Sequence, residues 1–238
     1  MKRDEKVKPG YFITATDTGC GKTLTALTLM QCFKHQGLRV LGMKPVAAGC
    51  ISTSIGPRND DALRLCAMGS LEVPYEWVNP FAFLLPIAPH LAAADAGIRI
   101  DLETILHHRD RLAALSDILV VEGAGGLLVP LGEGRTLADL AIALGYPLIL
   151  VVGLRLGCLN HAQLTEEAIQ RRGMALAGWI GNRIDPGFSH PTENLDTLAK
   201  ALEAPCLGVF PWQSHPDPDA LSAYLNPFLW VKLFAEIT

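Results

Sequence analysis

Six short runs of near-continuous apolar residues punctuate the chain: 11–15 (YFITA), 39–43 (RVLGM), 117–121 (DILVV), 147–152 (PLILVV), 176–180 (LAGWI) and 206–210 (CLGVF). A strand with one face in water alternates apolar and polar positions. A strand covered on both faces does not, so these runs predict a buried, mostly parallel sheet. Helical patterns fall between them. Residues 22–35 follow the first run and end near Gly37, a C-cap candidate. Asp101 opens a segment to 115 that lines up Leu102, Ile105, Leu106, Leu112 and Leu115 on one stripe. Residues 161–172 start behind Asn160 as N-cap, with Gln163 three residues on, and stop at Gly173. Further helices are predicted over 61–68 and 191–203. Strand and helix alternating in this way give an α/β fold, a doubly wound three-layer α/β/α arrangement. A single domain over 1–238 is expected, with the charged residues 1–9 disordered.

Composition narrows the function classes. The chain has 238 residues, half of them apolar and 18% charged, with a net charge of −4 and no basic stripe, which argues against a nucleic-acid partner. Its longest apolar stretches, such as 146–153, are far too short to span a bilayer, so no membrane partner is expected. The apolar end, 226–238 (NPFLWVKLFAEIT), has one lysine and no basic face, and predicts a helix packed on the body. Six cysteines lie scattered without CxxC pairs, consistent with reduced thiols in a cytoplasmic protein. His90, His107, His108, His190 and His215 show no ligand spacing.

Ligands of open α/β sheets bind beyond the carboxyl ends of the strands. The chemistry is therefore sought just after each apolar run. After the first stands Thr16-Asp17-Thr18-Gly19-Cys20-Gly21-Lys22-Thr23. The end of this segment fits a P-loop, in which glycines turn backbone N–H groups inward, the lysine reaches the β/γ-phosphates and the threonine hydroxyl ligates Mg²⁺. The usual first glycine is replaced by Thr16. After the second run, Lys44 in KPVAAG is either a snorkelling surface lysine or a fixed charge near the γ-phosphate. Asp60 and Asp61 in RNDDA either cap a helix or face a metal, and spacing does not choose between them. After the third run, Glu122 follows four apolar residues and needs a cation, for which Mg²⁺ beside a P-loop suffices. The fourth leads through GLRLGCLNHAQ to a helix N-terminus able to bind an anion, and His161 there reads as a helix-start residue. Asn182 after the fifth run is placed to read a purine edge, and Pro211-Trp212 after the sixth opens a loop.

Together, TDTGCGKT (16–23), KPVAAG (44–49), RNDDA (58–62), VNPFAF…PHLAA (78–93), VEGAGGLLVPL (121–131), LILVVGLRLGCLNHA (148–162), GWIGN (178–182) and PW (211–212) resemble the dethiobiotin synthetase family. The matches run in order from Tyr11 to Trp212, and that family too keeps a threonine where Thr16 stands. The resemblance implies an ATP- and Mg²⁺-dependent ligase of biotin biosynthesis that converts 7,8-diaminononanoate, CO₂ and ATP into dethiobiotin, ADP and phosphate. It implies catalytic roles for Lys22, Lys44 and Thr18, and a Mg²⁺ site of Thr23, Asp61 and Glu122. ATP contacts implied are Thr18, Gly19, Cys20, Gly21, Lys22, Thr23, Asp61, Glu122, Gly123, Ala124 and Gly125, with Asn182, Arg183, Pro211, Trp212 and Gln213 around the base. The implied substrate contacts are Thr18, Lys44, Ala48, Gly49 and Glu122. The substrate carboxylate would meet Gly157, Cys158 and Asn160 of the partner in a homodimer whose site lies at the subunit interface.

Departures from the family are Ala15 for glycine, Ala48 for serine or threonine, and Asn194 where some members have a tyrosine. A hydroxyl missing at Ala48 costs about 1.5–3 kcal/mol of hydrogen bonding to a charged group unless water or backbone replaces it. The loop after Trp212 aligns poorly and leaves Asp217 and Asp219 as candidate ribose contacts. A cobyrinate-type amide ligase would need a second domain for which the chain has no room. A partitioning-type ATPase would carry a second lysine early in the P-loop, where this chain has Thr16-Asp17-Thr18.

Overall fold

The computed structural model describes residues 9–226, and the expectations for residues 1–8 and for the segment after Asn226 lie outside that range. Six strands form one sheet: β1 (Gly10–Ala15), β2 (Val40–Met43), β3 (Ile118–Glu122), β4 (Leu148–Gly153), β5 (Leu176–Asn182) and β6 (Cys206–Phe210). Their order is β6-β5-β4-β1-β3-β2, and every neighbouring pair is parallel. Each predicted apolar run supplies one strand. All residues of β1, β2, β3 and β4 are buried, which is the physical reason their sequences do not alternate.

The helices of eight residues or more are α1 (Lys22–His35), α2 (Asp60–Met68), α3 (Leu102–Leu115), α4 (Leu137–Leu144), α5 (Cys158–Arg171) and α6 (Pro191–Ala201). Packing of α1 on α2, α3 on α4 and α5 on α6 completes a three-layer α/β/α arrangement. The chain enters at β1 in the sheet interior, runs to the edge at β2, returns through β3 and then crosses to β4 on the other side of β1. That reversal leaves the carboxyl ends of β1, β3 and β4 open as a crevice.

Helix starts differ from expectation in two places. α5 begins at Cys158 behind Gly157, whose φ of 95° turns the chain without any side-chain cap, so Asn160 lies inside the first turn. α2 is capped by Asn59, whose side chain accepts from the Ala62 N–H at 3.2 Å. Asp60 and Asp61 therefore belong to the first helical turn and are free of capping duty. Among the described residues no helix is long and apolar enough to cross a membrane, and all six cysteines are unpaired thiols.

Candidate functional site

The turn from β1 into α1 spans residues 16–21, with Gly19 and Gly21 both at positive φ. Gly21 stands at φ 94° as the N-cap of α1, a left-handed conformation that a side chain resists. Asn182, at the end of β5, is buried, and its Nδ2 donates to the Cys20 carbonyl at 2.9 Å. A Cβ added at Gly21 would lie 2.1 Å from that nitrogen. Asn182 thus braces the loop from behind, a contact that spacing did not foretell. The Cys20 side chain is buried with Sγ 3.4 Å from Thr16 Oγ1, so this residue offers a ligand its backbone only. Thr18 is exposed at the loop tip, its N–H donating to Asp17 Oδ1 at 2.7 Å. Asp17 also pairs with Arg155, which ties the loop after β4 to the P-loop.

The charged residues meet below this turn. Lys22 is 6% exposed, with Nζ 3.3 Å from the Asp17 carbonyl. Burial, helped by the charge of Lys44, lowers its pKa. Lys44, at the carboxyl end of β2, is buried, which overturns the snorkelling alternative. Its Nζ lies 2.8 Å from Asp61 Oδ2 and 2.5 Å from Glu122 Oε1. Burial alone would lower the Lys44 pKa, but Glu122 and Asp61 outweigh it and raise it, keeping an ammonium there. Asp61, not Asp60, reaches the cluster. Burial would raise its pKa, yet Lys44 pulls it below the ordinary carboxylate range.

Thr23 Oγ1 donates to Glu122 Oε1 at 2.9 Å. Glu122 is 1% exposed, and its second oxygen, Oε2, is buried without a hydrogen-bond partner. An orphaned carboxylate oxygen beside a threonine hydroxyl and a second carboxylate fits a hard divalent cation. Among the described residues no three or more His, Cys, Asp or Glu side chains gather to hold a metal. Mg²⁺ needs only one or two carboxylates when phosphates and water complete its shell, so the set is sufficient.

The remaining candidates line the rim. Gly123, Ala124 and Gly125 follow β3 directly, and Gly125 lies against the Thr18 hydroxyl. Ala48 is half-buried and Gly49 exposed, after the short strand Val46–Ala47. Gly157 and Asn160 are exposed at the start of α5, whereas Cys158 is buried and presents its backbone. Arg183, Pro211 and Trp212 line a cleft of about 250 Å³ together with Asp185 and Phe188. Gln213 is half-buried just beyond it. A larger cleft of about 450 Å³ runs from Thr16 and Asp17 past Leu128 to His161 and Leu164. His161 thus faces a cleft, although it is not at the helix start.

The two ribose candidates are already engaged, Asp217 capping the helix Pro218–Leu221 and Asp219 lying 3.3 Å from His35. The Asn194 amide turns back to the His190 carbonyl at 2.8 Å.

A glycine-rich strand-to-helix turn at the switch point of a parallel sheet, carrying Lys22 and Thr23 above a buried carboxylate, defines a P-loop nucleotide-binding protein. The family model described as an AAA domain matches residues 9–219. An ATP-dependent dethiobiotin synthetase BioD of Chromohalobacter salexigens is 50% identical over 219 residues, covering 88% of this chain and 92% of that protein. The protein of the same name from Pseudomonas paraeruginosa is 50% identical over 220 residues, covering 92% of this chain and 96% of that protein. The MinC:MinD cell division protein complex of Aquifex aeolicus is similar in fold alone, with a TM-score of 0.53 at 14% identity over 87% of this chain and 82% of that one. The chain belongs to the ATP-dependent dethiobiotin synthetase family.

Proposed function

We propose that this chain, acting as one domain, closes a ureido ring by joining 7,8-diaminononanoate and CO₂ at the expense of ATP, giving dethiobiotin, ADP and phosphate. The observation that carries this reading is Lys44, buried between Asp61 and Glu122 next to a P-loop lysine. Such an ammonium can serve both an anionic carbamate and a γ-phosphoryl group.

One amine of the substrate takes up CO₂ and loses a proton to become a carbamate. A carbamate oxygen attacks the γ-phosphorus, ADP leaves, and a carbamic–phosphoric anhydride results. The second amine attacks the carbonyl carbon and expels phosphate with that oxygen, closing the ring. Phosphoryl transfer needs positioning and charge stabilisation more than covalent help. The backbone of residues 18–23 cradles the triphosphate, and Lys22 holds its β- and γ-oxygens. Lys44 stabilises charge developing on the γ-phosphoryl and orients the carbamate. Thr18 contacts the diamine.

Thr23, Asp61 and Glu122 would hold Mg²⁺, which supplies neutralisation of the phosphate charge. Asn182 Oδ1 would accept from the adenine amine, with the base in the cleft of Arg183, Pro211, Trp212 and Gln213. The start of α5 would receive the substrate carboxylate from a partner subunit. A homodimer is supported by Leu156, 93% exposed beside that helix start, and by the exposed Leu128 and Leu164 along the larger cleft. Use of ATP and the six unpaired thiols support a cytoplasmic location.

Phosphate release tests the reading. With Mg-ATP and bicarbonate, turnover is expected only when diaminononanoate is added. Equal release without the diamine would contradict a ligase and favour a nucleotide switch.

A further inference from the structure

Lys44 and Asp61 come from different elements, the end of β2 and the first turn of α2, joined through the hairpin of Ile51–Thr53 and Gly56–Arg58. That hairpin is largely exposed, with Ile51 and Ile55 open to solvent, so it cannot fix the two side chains relative to each other. A separate chain of hydrogen bonds does. The Asn59 N–H donates to the Tyr75 hydroxyl at 2.8 Å, and that hydroxyl donates to Asn79 Oδ1 at 2.8 Å. Asn79 Nδ2 in turn donates to the Lys44 carbonyl at 2.7 Å and to the Phe81 carbonyl at 3.3 Å. Two carbonyl acceptors fix which end of the amide is nitrogen. Asn79 is 3% exposed, and the Lys44 N–H is bound at 2.8 Å by the Val78 carbonyl. At the other end, Asn59 caps α2, and the Arg58 guanidinium lies 4.2 Å over the Tyr75 ring.

Each group in this relay is used in the only sense its chemistry permits. A backbone N–H gives, a hydroxyl takes one and gives one, and an amide takes at oxygen and gives at nitrogen. The relay runs from the backbone at the start of α2, two residues before Asp61, to the backbone of Lys44 itself. We propose that Tyr75 and Asn79 are positioning residues that hold Lys44 and Asp61 in register for phosphoryl transfer. Neither has a role in binding or chemistry of its own. The inference deepens the proposed reaction and rests on it for its kinetic effect.

Tyr75→Phe removes one oxygen, leaving the ring and its packing in place, and so leaves the Asn59 N–H and Asn79 Oδ1 without their partner. Lys22 and the P-loop, which carry ground-state binding of the triphosphate, are untouched, and Thr23 and Glu122, which lie outside the relay, remain to hold its Mg²⁺. Displacing Lys44 and Asp61 acts on the transition state, so kcat should fall about tenfold while the KM for ATP stays within about twofold. A non-hydrolysable ATP analogue with Mg²⁺ should raise the thermal midpoint as much as in the wild type. Amide hydrogen exchange over residues 59–63 should be faster in the variant, a readout independent of turnover. Ser116→Ala provides a control, since it deletes a buried hydroxyl that donates to the Leu112 carbonyl at 3.0 Å near the opposite end of the sheet, and it should keep kcat.

Unchanged exchange over 59–63, or an equal fall in kcat in Ser116→Ala, would overturn the relay. Wild-type kcat in Tyr75→Phe would do the same. Absence of diamine-dependent turnover in the wild type would instead contradict the proposed reaction, and exchange would still decide the relay.

Discussion

Lys44→Gln is expected to lower kcat by about 10²–10³-fold, the loss typical of removing one preorganised charge-stabilising donor. The KM for ATP should change little, because the P-loop and Lys22 remain to bind the ground state. Glutamine is the informative replacement. It keeps a donor for Glu122 or Asp61, both within 2.8 Å of Nζ in the wild type, and so avoids leaving two carboxylates facing each other unpaired. Steady-state phosphate release, with circular dichroism to verify folding, checks the result. A folded variant with wild-type kcat would remove Lys44 from the chemistry.

Gly21→Ala should all but abolish nucleotide binding, weakening ATP on the order of 10²-fold or more. Two independent costs meet at this position. A φ of 94° is a left-handed conformation that alanine adopts only at a cost of about 1–3 kcal/mol. The added methyl would also lie 2.1 Å from Asn182 Nδ2, which is buried and bonded to the Cys20 carbonyl and cannot swing aside freely. Relief requires moving either the loop proposed to cradle the phosphates or the strand end that carries Asn182. Equilibrium binding of a fluorescent ATP analogue measures the effect, and an affinity within threefold of wild type would contradict this role of the turn.

The sheet was legible in the sequence because burial on both faces leaves a direct mark, and each run such as LILVV became a strand. The P-loop was legible for a similar reason, since left-handed turns and phosphate contact restrict which residues fit. What escaped was set by contacts between distant segments. The spacing of neighbouring aspartates does not say whether Asp60 or Asp61 faces the cluster; only the family resemblance pointed to Asp61, and the helical phase fixed by the Asn59 cap is the physical reason it is the one. The start of α5 was misplaced because Gly157 ends the turn by its backbone, while Asn160 imitates a cap. Asn182 was expected to read a base, and its brace on Cys20, 162 positions away, has no local signal. The VNPFAF segment matched the family without a stated role, and only the three-dimensional path from Tyr75 to Lys44 gives Asn79 a purpose.

The central claim is that a carbamate oxygen attacks the γ-phosphorus and then leaves with the phosphate. Bicarbonate labelled with ¹⁸O and ¹³C, supplied with Mg-ATP and diaminononanoate and followed before oxygen exchanges with water, tests it directly. The account predicts ¹³C in the ureido carbonyl and one ¹⁸O in the released phosphate for each ring closed. Labelled product accompanied by phosphate free of ¹⁸O would contradict it.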